Sequence, residues 1–415
     1  MFKRVPGTKD ILPEELSEWQ KIEEISRQVL RIYGYREIRT PIIEDINLYN
    51  RSLGETTEIV QKQMFVIKNN EDTYVLRPEG TVSIVRTYIE NNLDKTGGLA
   101  KFYYIGPMFR LERPQKGRLR QFHHIGAEVI GSNLPRVDIE VISLANKLLM
   151  EWGISGYEII INNLGCREDK KKLVRTLQDG LKNELNNLCE DCRQRFNNNV
   201  LRILDCKNQT CQDVIKTLNI HDGHLCDDCA AHFEFVKTEL KNLGISYRLD
   251  PYLVRGLDYY TRTVFEIRHK DLGSQDALGA GGRYDNLVKD LAGPDIGAMG
   301  FAFGVERLLL VAPKKPVAAR RSLVYVIGLG QKAESESLKL LENIRDAGIP
   351  ASTCLESKSL KGAMRQADDL QARFVLIIGE DELKKNVVTS KDMVSGVQKE
   401  VSYQDLIKEL KNAQD

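Results

Sequence analysis

Apolar residues recur along this chain with two different periods, and the alternation between them predicts its elements. Leu16, Trp19, Ile22, Ile25, Val29 and Leu30 share one face of a helix that Pro13-Glu14-Glu15 opens and Gly34 stops. The next stretch, YREIRTPIIEDINLYNR, reads as an extended segment in which Pro41 must take a strand start or edge, because it cannot donate to a ladder. YVLRPEGTVSIVRTYIE predicts a short strand that turns into a helix through Pro78-Glu79-Gly80-Thr81. Two strands follow, YYIGPMFR and QFHHIGAEVIG, joined by a loop with Glu112, Arg113, Lys116, Arg118 and Arg120 that Pro114 and Gly117 turn. VDIEVISLANKLLMEWG is another amphipathic helix and YEIIINNLG a buried strand.

The pattern then changes. Residues 166–243 are rich in Lys, Asn, Asp and Cys, with helical stretches and no alternating strands, which predicts a helical insertion on a mixed α/β core. DPYLVRGLDYYTRTVFEI and ALGAGGRYDNLV lead back into strands, and IGAMGFAFGVERLLLVAP is a glycine-punctuated strand entering a helix at Gly304. PKKPVAARR, residues 313–321, is a basic, proline-containing linker. Beyond it LVYVIGLG, helices around 334–346 and 360–370, and RFVLIIGEDE alternate as a compact α/β domain with a mainly parallel or mixed sheet.

Composition narrows the class. At 415 residues, with 42% apolar and 29% charged, the chain suits two or three globular domains. A net charge of +1 means that any nucleic-acid surface has to be local. The start, MFKRVPGTKDILPEE, shows no signal peptide, and no window reaches membrane-span length, so a cytoplasmic protein is expected. Its eight cysteines should then be reduced. Cys189-x-x-Cys192 and Cys226-x-x-Cys229 each present two thiolates to one tetrahedral ion, which predicts a structural zinc on those four. Cys206 and Cys211, with His221, His224 and His232, are competing ligands, and inert buried thiols are the bland alternative.

Several positions carry candidate chemistry, each with a plainer reading beside it. Arg110 and Arg120 stand at strand ends, where a rigid fork suits phosphate oxygens; a solvated hairpin tip explains the same charges. Glu79 is either a first-turn cap or a ligand for a cation. Arg255 beside Tyr259 and Tyr260 is a recognition corner or a cation–π packing corner. Gly279, Gly281 and Gly282 let backbone approach a ligand. Arg307 sits at a helix start, against the dipole, which suggests an anion shared between the two.

These stretches also resemble a known family. LVRGLDYYTRTVFE and ALGAGGRYDNLV are similar to the two histidine-specific motifs of the histidyl-tRNA synthetases, and LRPEGT to that family's α-ammonium element. The basic hairpin resembles class II motif 2, GFAFGVERLLL motif 3, and the first helix with the proline-bearing strand motif 1. The resemblance implies an α+β catalytic core over residues 1–312, an antiparallel sheet flanked by helices, with the insertion 166–243 and a C-terminal α/β anticodon-binding domain at 322–415. It implies a homodimer that joins L-histidine to tRNA(His) through histidyl-adenylate, with ATP and Mg²⁺. By the same resemblance Arg110 and Arg255 are catalytic, and Arg110, Glu112, Arg118, Phe122 and Arg307 bind ATP. Glu79, Gly80, Thr81, His124, Glu128, Arg255, Tyr259, Tyr260 and Tyr284 surround histidine. The family usually has Gln where this chain has His124; an imidazole cannot donate and accept as an amide does, which puts affinity and pH dependence there in question. Two rivals stay open: a non-catalytic regulatory subunit of the histidine-biosynthetic phosphoribosyltransferase, and a zinc-dependent nucleic-acid-binding module.

Overall fold

The computed structural model describes residues 2–54, 57–218, 220, 222–273, 276–313, 323–356 and 359–413. The chain forms two compact units, 1–313 and 314–415. Most of the basic linker at 313–321 lies outside the described residues.

The first unit is built on a sheet of eight strands among the described residues. Their order is Arg36–Glu37, Ala100–Phe109, Gln121–Ile130, Ala298–Gly304, Ala277–Arg283, Thr261–His269, Tyr157–Asn163 and Arg248–Leu249. The six central strands are antiparallel and each edge strand joins in parallel. This agrees with the antiparallel core flanked by helices that the family resemblance implies. Strand side chains alternate between faces, and the alternation divides the molecule's work. Ile125, Ala127 and Val129 face one way, where Trp19, Ile22, Val29 and Leu30 of helix Pro13–Ile32 and Val141, Leu144 and Leu148 of helix Arg136–Glu151 cover them. Phe122, His124, Gly126 and Glu128 face the other way, beneath helix Thr81–Glu90.

Two glycines keep the second face open. A Cβ on Gly80 would lie 2.5 Å from the ring of Tyr104, and one on Gly126 would lie 2.4 Å from it. Tyr104 is thus clamped between the start of the helix and the neighbouring strand, and neither position has room for a methyl group.

The extended reading of YREIRTPIIEDINLYNR holds only in part. Arg36–Glu37 and Ile43–Asp45 are strands, but Ile46–Leu53 is a helix. Asp45 caps it by accepting from the Asn47 N–H at 2.7 Å, and Tyr49, Ser52 and Leu53 bury at helical spacing. Ile43–Asp45 joins Asp72–Leu76 and Phe65–Asn69 in a separate antiparallel sheet. Tyr284 follows the strand Ala277–Arg283 directly, and the short helix Leu287–Asp290 comes after it.

The described residues of 166–243 hold Arg167–Leu181, Glu190–Asn198, Gln209–Thr217 and Asp227–Asn242 as their main helices. The last of these returns to the main core, where Phe233, Val236 and Leu240 bury. The second unit has a mixed sheet in the order Ala351–Thr353, Val324–Gly328, Phe374–Ile378, Val387–Asp392 and Gln398–Ser402, parallel over the first three strands. Among the described residues no helix is long and apolar enough to cross a membrane.

Gly126→Ala should lower stability by about 1–3 kcal/mol through overpacking against Tyr104. In Tyr104→Ala the same substitution should cost much less. Equal costs in both backgrounds, read from thermal or urea unfolding, would show that the clamp is not the reason for glycine.

Candidate active site

A cavity of about 230 Å³ opens on the second face of the sheet. Glu79, Thr81, Arg110, Glu112, Arg118, Phe122, His124, Arg255, Tyr259, Tyr260, Tyr284 and Arg307 all line it. Gly80 and Glu128 stand just behind its wall, Gly80 at the start of helix Thr81–Glu90 and Glu128 bonded to two lining side chains. The strand ends, the helix start and the LVRGLDYY loop are far apart in sequence, and the sheet brings them together.

One end of the cavity is acidic and hydroxyl-rich. Glu79 accepts from the N–H groups of Thr81 and Val82, both at 2.8 Å, so it closes the first turn of the helix while its side chain also borders the cavity. The cap and the ligand readings are therefore compatible. Burial outweighs those bonds and holds its carboxyl above the usual carboxylate range. Glu128 accepts from the Thr81 hydroxyl at 2.7 Å and from the Tyr284 hydroxyl at 2.6 Å. Burial pushes its pKa up to about 8, with Glu79 adding to the rise. Its position leaves no slack, since a Cβ on Gly300 would lie 1.7 Å from Glu128 Oε2. Tyr259, Tyr260 and Tyr284 form a ring-against-ring wall, with centroids 4.6 and 5.7 Å apart along it. Burial raises all three phenols, Tyr260 to about 12, so they stay protonated donors.

The other end is cationic. Arg110 donates from Nε to the Pro78 carbonyl at 2.9 Å and stacks over Phe122, 5.3 Å from the ring centroid. Arg307 donates to the carbonyls of Gly117 at 3.0 Å and Ala277 at 2.7 Å. Arg118 pairs with Glu112, whose other oxygen is 4.0 Å from Arg110. Burial lowers the pKa of all three guanidinium groups; Arg110 adds to the fall at Arg118, and Arg118 and Arg110 add to it at Arg307. Arg255 pairs with Glu266, which Arg268 also holds at 2.5 Å. His124 lies between the two ends. Burial first, then Arg110 and Arg307, push its pKa well below the usual histidine value, and Nδ1 has no hydrogen-bond partner. It is a neutral imidazole, and no titration near neutral pH arises from it.

Not every expected residue belongs. Arg120 turns away, donating to the Glu112 carbonyl at 3.3 Å and to the Pro6 carbonyl at 3.2 Å, and so ties down the N-terminal segment. Arg113 and Lys116 are exposed. The two Cys-x-x-Cys pairs do not meet. Cys189 and Cys192 join Cys206 and Cys211, while Cys226 and Cys229 join Cys166 and Asp169. The reason is connectivity: the short helices 190–198 and 209–217 close the first group locally, whereas Cys226 starts the helix that returns to the sheet. His232 bonds Asp138 at 2.7 Å and Arg262 at 3.0 Å inside the core, and His221 lies outside the described residues. Sequence reading missed Glu266 and Glu306. Glu266 had a signal, because it shares strand parity with Val264 and falls on the cavity face. Glu306 accepts from the His123 N–H at 3.0 Å and lines the cavity beside Arg307.

Comparison with known proteins identifies what this site resembles. The family described as "Histidyl-tRNA synthetase" matches residues 7–308, and "Anticodon binding domain" matches 323–413. The chain belongs to the histidyl-tRNA synthetase family. A histidine–tRNA ligase of Desulforamulus reducens is 45% identical over 97% of this chain and 97% of its own length. One from Thermodesulfovibrio yellowstonii is 45% identical over 100% and 99%. The crystal structure of apo Staphylococcus aureus histidyl-tRNA synthetase superposes with a TM-score of 0.81 at 33% identity, covering 99% of this chain and all of that one. A Bacillus halodurans chain titled "ATP phosphoribosyltransferase regulatory subunit/histidyl-tRNA synthetase" has a TM-score of 0.67 at 22% identity over 91% of this chain and 98% of that one, which shows the shared fold alone. The full-length relatives favour the ligase over the regulatory subunit, and this family's members are ATP-dependent aminoacyl-tRNA synthetases.

Glu128 gives a pH signature. Between about 4.5 and about 8 the folded chain keeps a proton that the unfolded chain releases. Its stabilising share is thus complete below the unfolded value and is lost as pH rises through about 8. Glu128→Gln cannot titrate, so the parent should lose stability relative to it from about pH 5 to about pH 8.5, on the order of a few kcal/mol. Parallel unfolding curves would refute the buried proton.

Proposed function

We propose that the cavity holds L-histidine at its acidic end and ATP at its cationic end, and that the chain supplies position and charge rather than a covalent intermediate. Glu79, Thr81 and Glu128, with Gly80 giving clearance, receive the α-ammonium and imidazole donors. The tyrosine hydroxyls of residues 259, 260 and 284 complete the recognition of an imidazole, which has one donor and one acceptor; an analogue lacking them leaves buried groups unpaired. His124 accepts one bond where an amide would make two.

Arg110 then holds the α-phosphate, Arg118 and Arg307 the outer phosphates, and Glu112 and Phe122 the adenine. The histidine carboxylate attacks the α-phosphorus and pyrophosphate leaves, after which the terminal adenosine hydroxyl of tRNA(His) takes the acyl group and AMP leaves. Mg²⁺ enters with ATP; Glu306 is a cavity carboxylate beside Arg307 that suits a hard cation. The observation that carries this reading is the crowd of incompletely neutralised arginines opposite a carboxyl-hydroxyl pocket, which fits a zwitterionic amino acid beside a polyphosphate.

The same reading includes a second copy of the chain and a structural metal. The small sheet leaves Ile43, Val66 and Ile67 exposed, an apolar face suited to a dimer contact. Cys189, Cys192, Cys206 and Cys211 suit a zinc-type ion. Tetrahedral Zn–S geometry spaces sulfurs by about 3.8 Å; the Sγ atoms of Cys189 and Cys206 are 3.9 Å apart, and the Cys189 N–H points to Cys211 Sγ at 3.2 Å. A cytoplasmic location accompanies this reading.

Arg255→His should cut histidine-dependent pyrophosphate exchange by roughly 100-fold or more while shifting thermal unfolding little, because Arg268 still neutralises Glu266. Near-normal exchange in the folded variant would remove Arg255 from the chemistry. Deleting 322–415 should spare exchange and chiefly abolish tRNA charging. Equal loss of both in a still dimeric truncation would contradict the assignment of tRNA reading to that unit.

A further inference from the structure

Three of the four cysteines outside the four-thiol cluster meet at the root of the insertion. Cys166 caps helix Arg167–Leu181, Cys226 caps helix Asp227–Asn242, and Cys229 lies in the first turn of the latter. Asp169 stands among them, and ligand atoms of all four residues lie within 4.8 Å of one another. Asp169 is fully buried, and its main donors are the Cys226 N–H and the thiols of Cys229, Cys226 and Cys166. The Cys166 N–H reaches Oδ2 only at 3.4 Å, and the Lys172 ammonium, on a side chain 57% exposed, is 3.4 Å from Oδ1. A thiol is a weak donor to a carboxylate. Three thiolates and one carboxylate, by contrast, complete a tetrahedron around a thiophilic divalent cation.

We propose that Cys166, Asp169, Cys226 and Cys229 bind a second zinc-type ion, distinct from that of the four-cysteine cluster, and that this ion fixes the wall of the amino-acid site. The first half stands on the ligand geometry alone; the second rests on the assignment of Tyr259 and Tyr260 to histidine. Binding replaces three thiol protons by one cation, with no change of oxidation state. The ligands are stitched to the loop that carries both tyrosines. Lys170, next to Asp169, donates to the carbonyls of Asp258 at 2.8 Å and Tyr260 at 3.0 Å. Asn163 donates to the Cys229 carbonyl at 2.9 Å and accepts from the Gly165 N–H at 2.8 Å, and the Arg262 N–H reaches the Gly165 carbonyl at 2.8 Å. An ion holding Asp169 and Cys229 together therefore holds Lys170 against the backbone behind Tyr259 and Tyr260.

Native mass spectrometry and elemental analysis of the full-length protein, isolated without chelator and under nitrogen, decide the first half. The parent should carry two zinc ions per chain. Cys226→Ser and Asp169→Ala should each leave one, as should Cys206→Ser, and cobalt-substituted Cys206→Ser should retain a thiolate charge-transfer band. One zinc in the parent that survives both Cys226→Ser and Asp169→Ala overturns the site. So does a Cys226–Cys229 disulfide in the freshly isolated parent, a result that needs no variant to fold. For the second half, Lys170→Met should keep both ions and raise the KM for histidine severalfold with kcat nearly unchanged, and Asp169→Ala should raise KM alike. Two ions in the parent with an unchanged histidine KM in Asp169→Ala keeps the metal site and overturns its link to the amino-acid wall. Absence of any histidine-dependent exchange in the two-zinc parent would strike the functional reading and leave the site standing.

Discussion

Two of the three arginines at the cationic end of the cavity are held by backbone carbonyls, and much else in the structure follows from that. A carbonyl fixes where a guanidinium points without cancelling its charge. Pro78 orients Arg110, and Gly117 and Ala277 orient Arg307, while Glu112 is shared between Arg118 and, more distantly, Arg110. Burial lowers all three pKa values, with Arg255 adding to the fall at Arg110, Arg110 at Arg118, and Arg118 and Arg110 at Arg307. A fold that gathers three cations around one shared carboxylate is electrostatically suited to a polyanion. Preorganised charge of this kind stabilises a transferring phosphoryl group without reorganisation during the reaction.

The sheet makes this arrangement possible by separating stability from chemistry. Along Gln121–Ile130, Ile125, Ala127 and Val129 bury against long helices, while Phe122 and His124 on the opposite face line the cavity. The acidic end is fixed as firmly as the cationic end, but through hydroxyls and tight clearance. Thr81 and Tyr284 each hold one oxygen of Glu128, Tyr104 fills the space that Gly80 and Gly126 leave, and Gly300 admits the Glu128 carboxylate. Substrate binding thus meets rigid donors and acceptors and pays little ordering entropy.

Much of this was legible in the sequence where the signal was local. The hairpin, the LRPEGT turn, the two glycine-bearing strands and the LVRGLDYY loop each showed in a short window, and these supply the cavity wall. The helix Ile46–Leu53 was missed because Pro41 and the β-branched residues before it masked a cap at Asp45. Arg120 looked equivalent to Arg110, and only the docking of the N-terminal segment distinguishes them. The cysteine pairing was misread for a related reason. Spacing identifies which thiols can share an ion two at a time, but which pairs meet depends on where each helix returns, and that is a long-range property. Glu266 and Lys170 support the site through contacts that appear only once the loop is folded over the sheet.

The central claim is that an amino-acid pocket built for an imidazole faces a polyphosphate site in one cavity. The most direct measurement is ATP–pyrophosphate exchange by the full-length chain with each of the twenty amino acids in turn. The account predicts exchange with L-histidine and background exchange with the rest. Exchange with another amino acid, or with none while ATP binds normally, would contradict it.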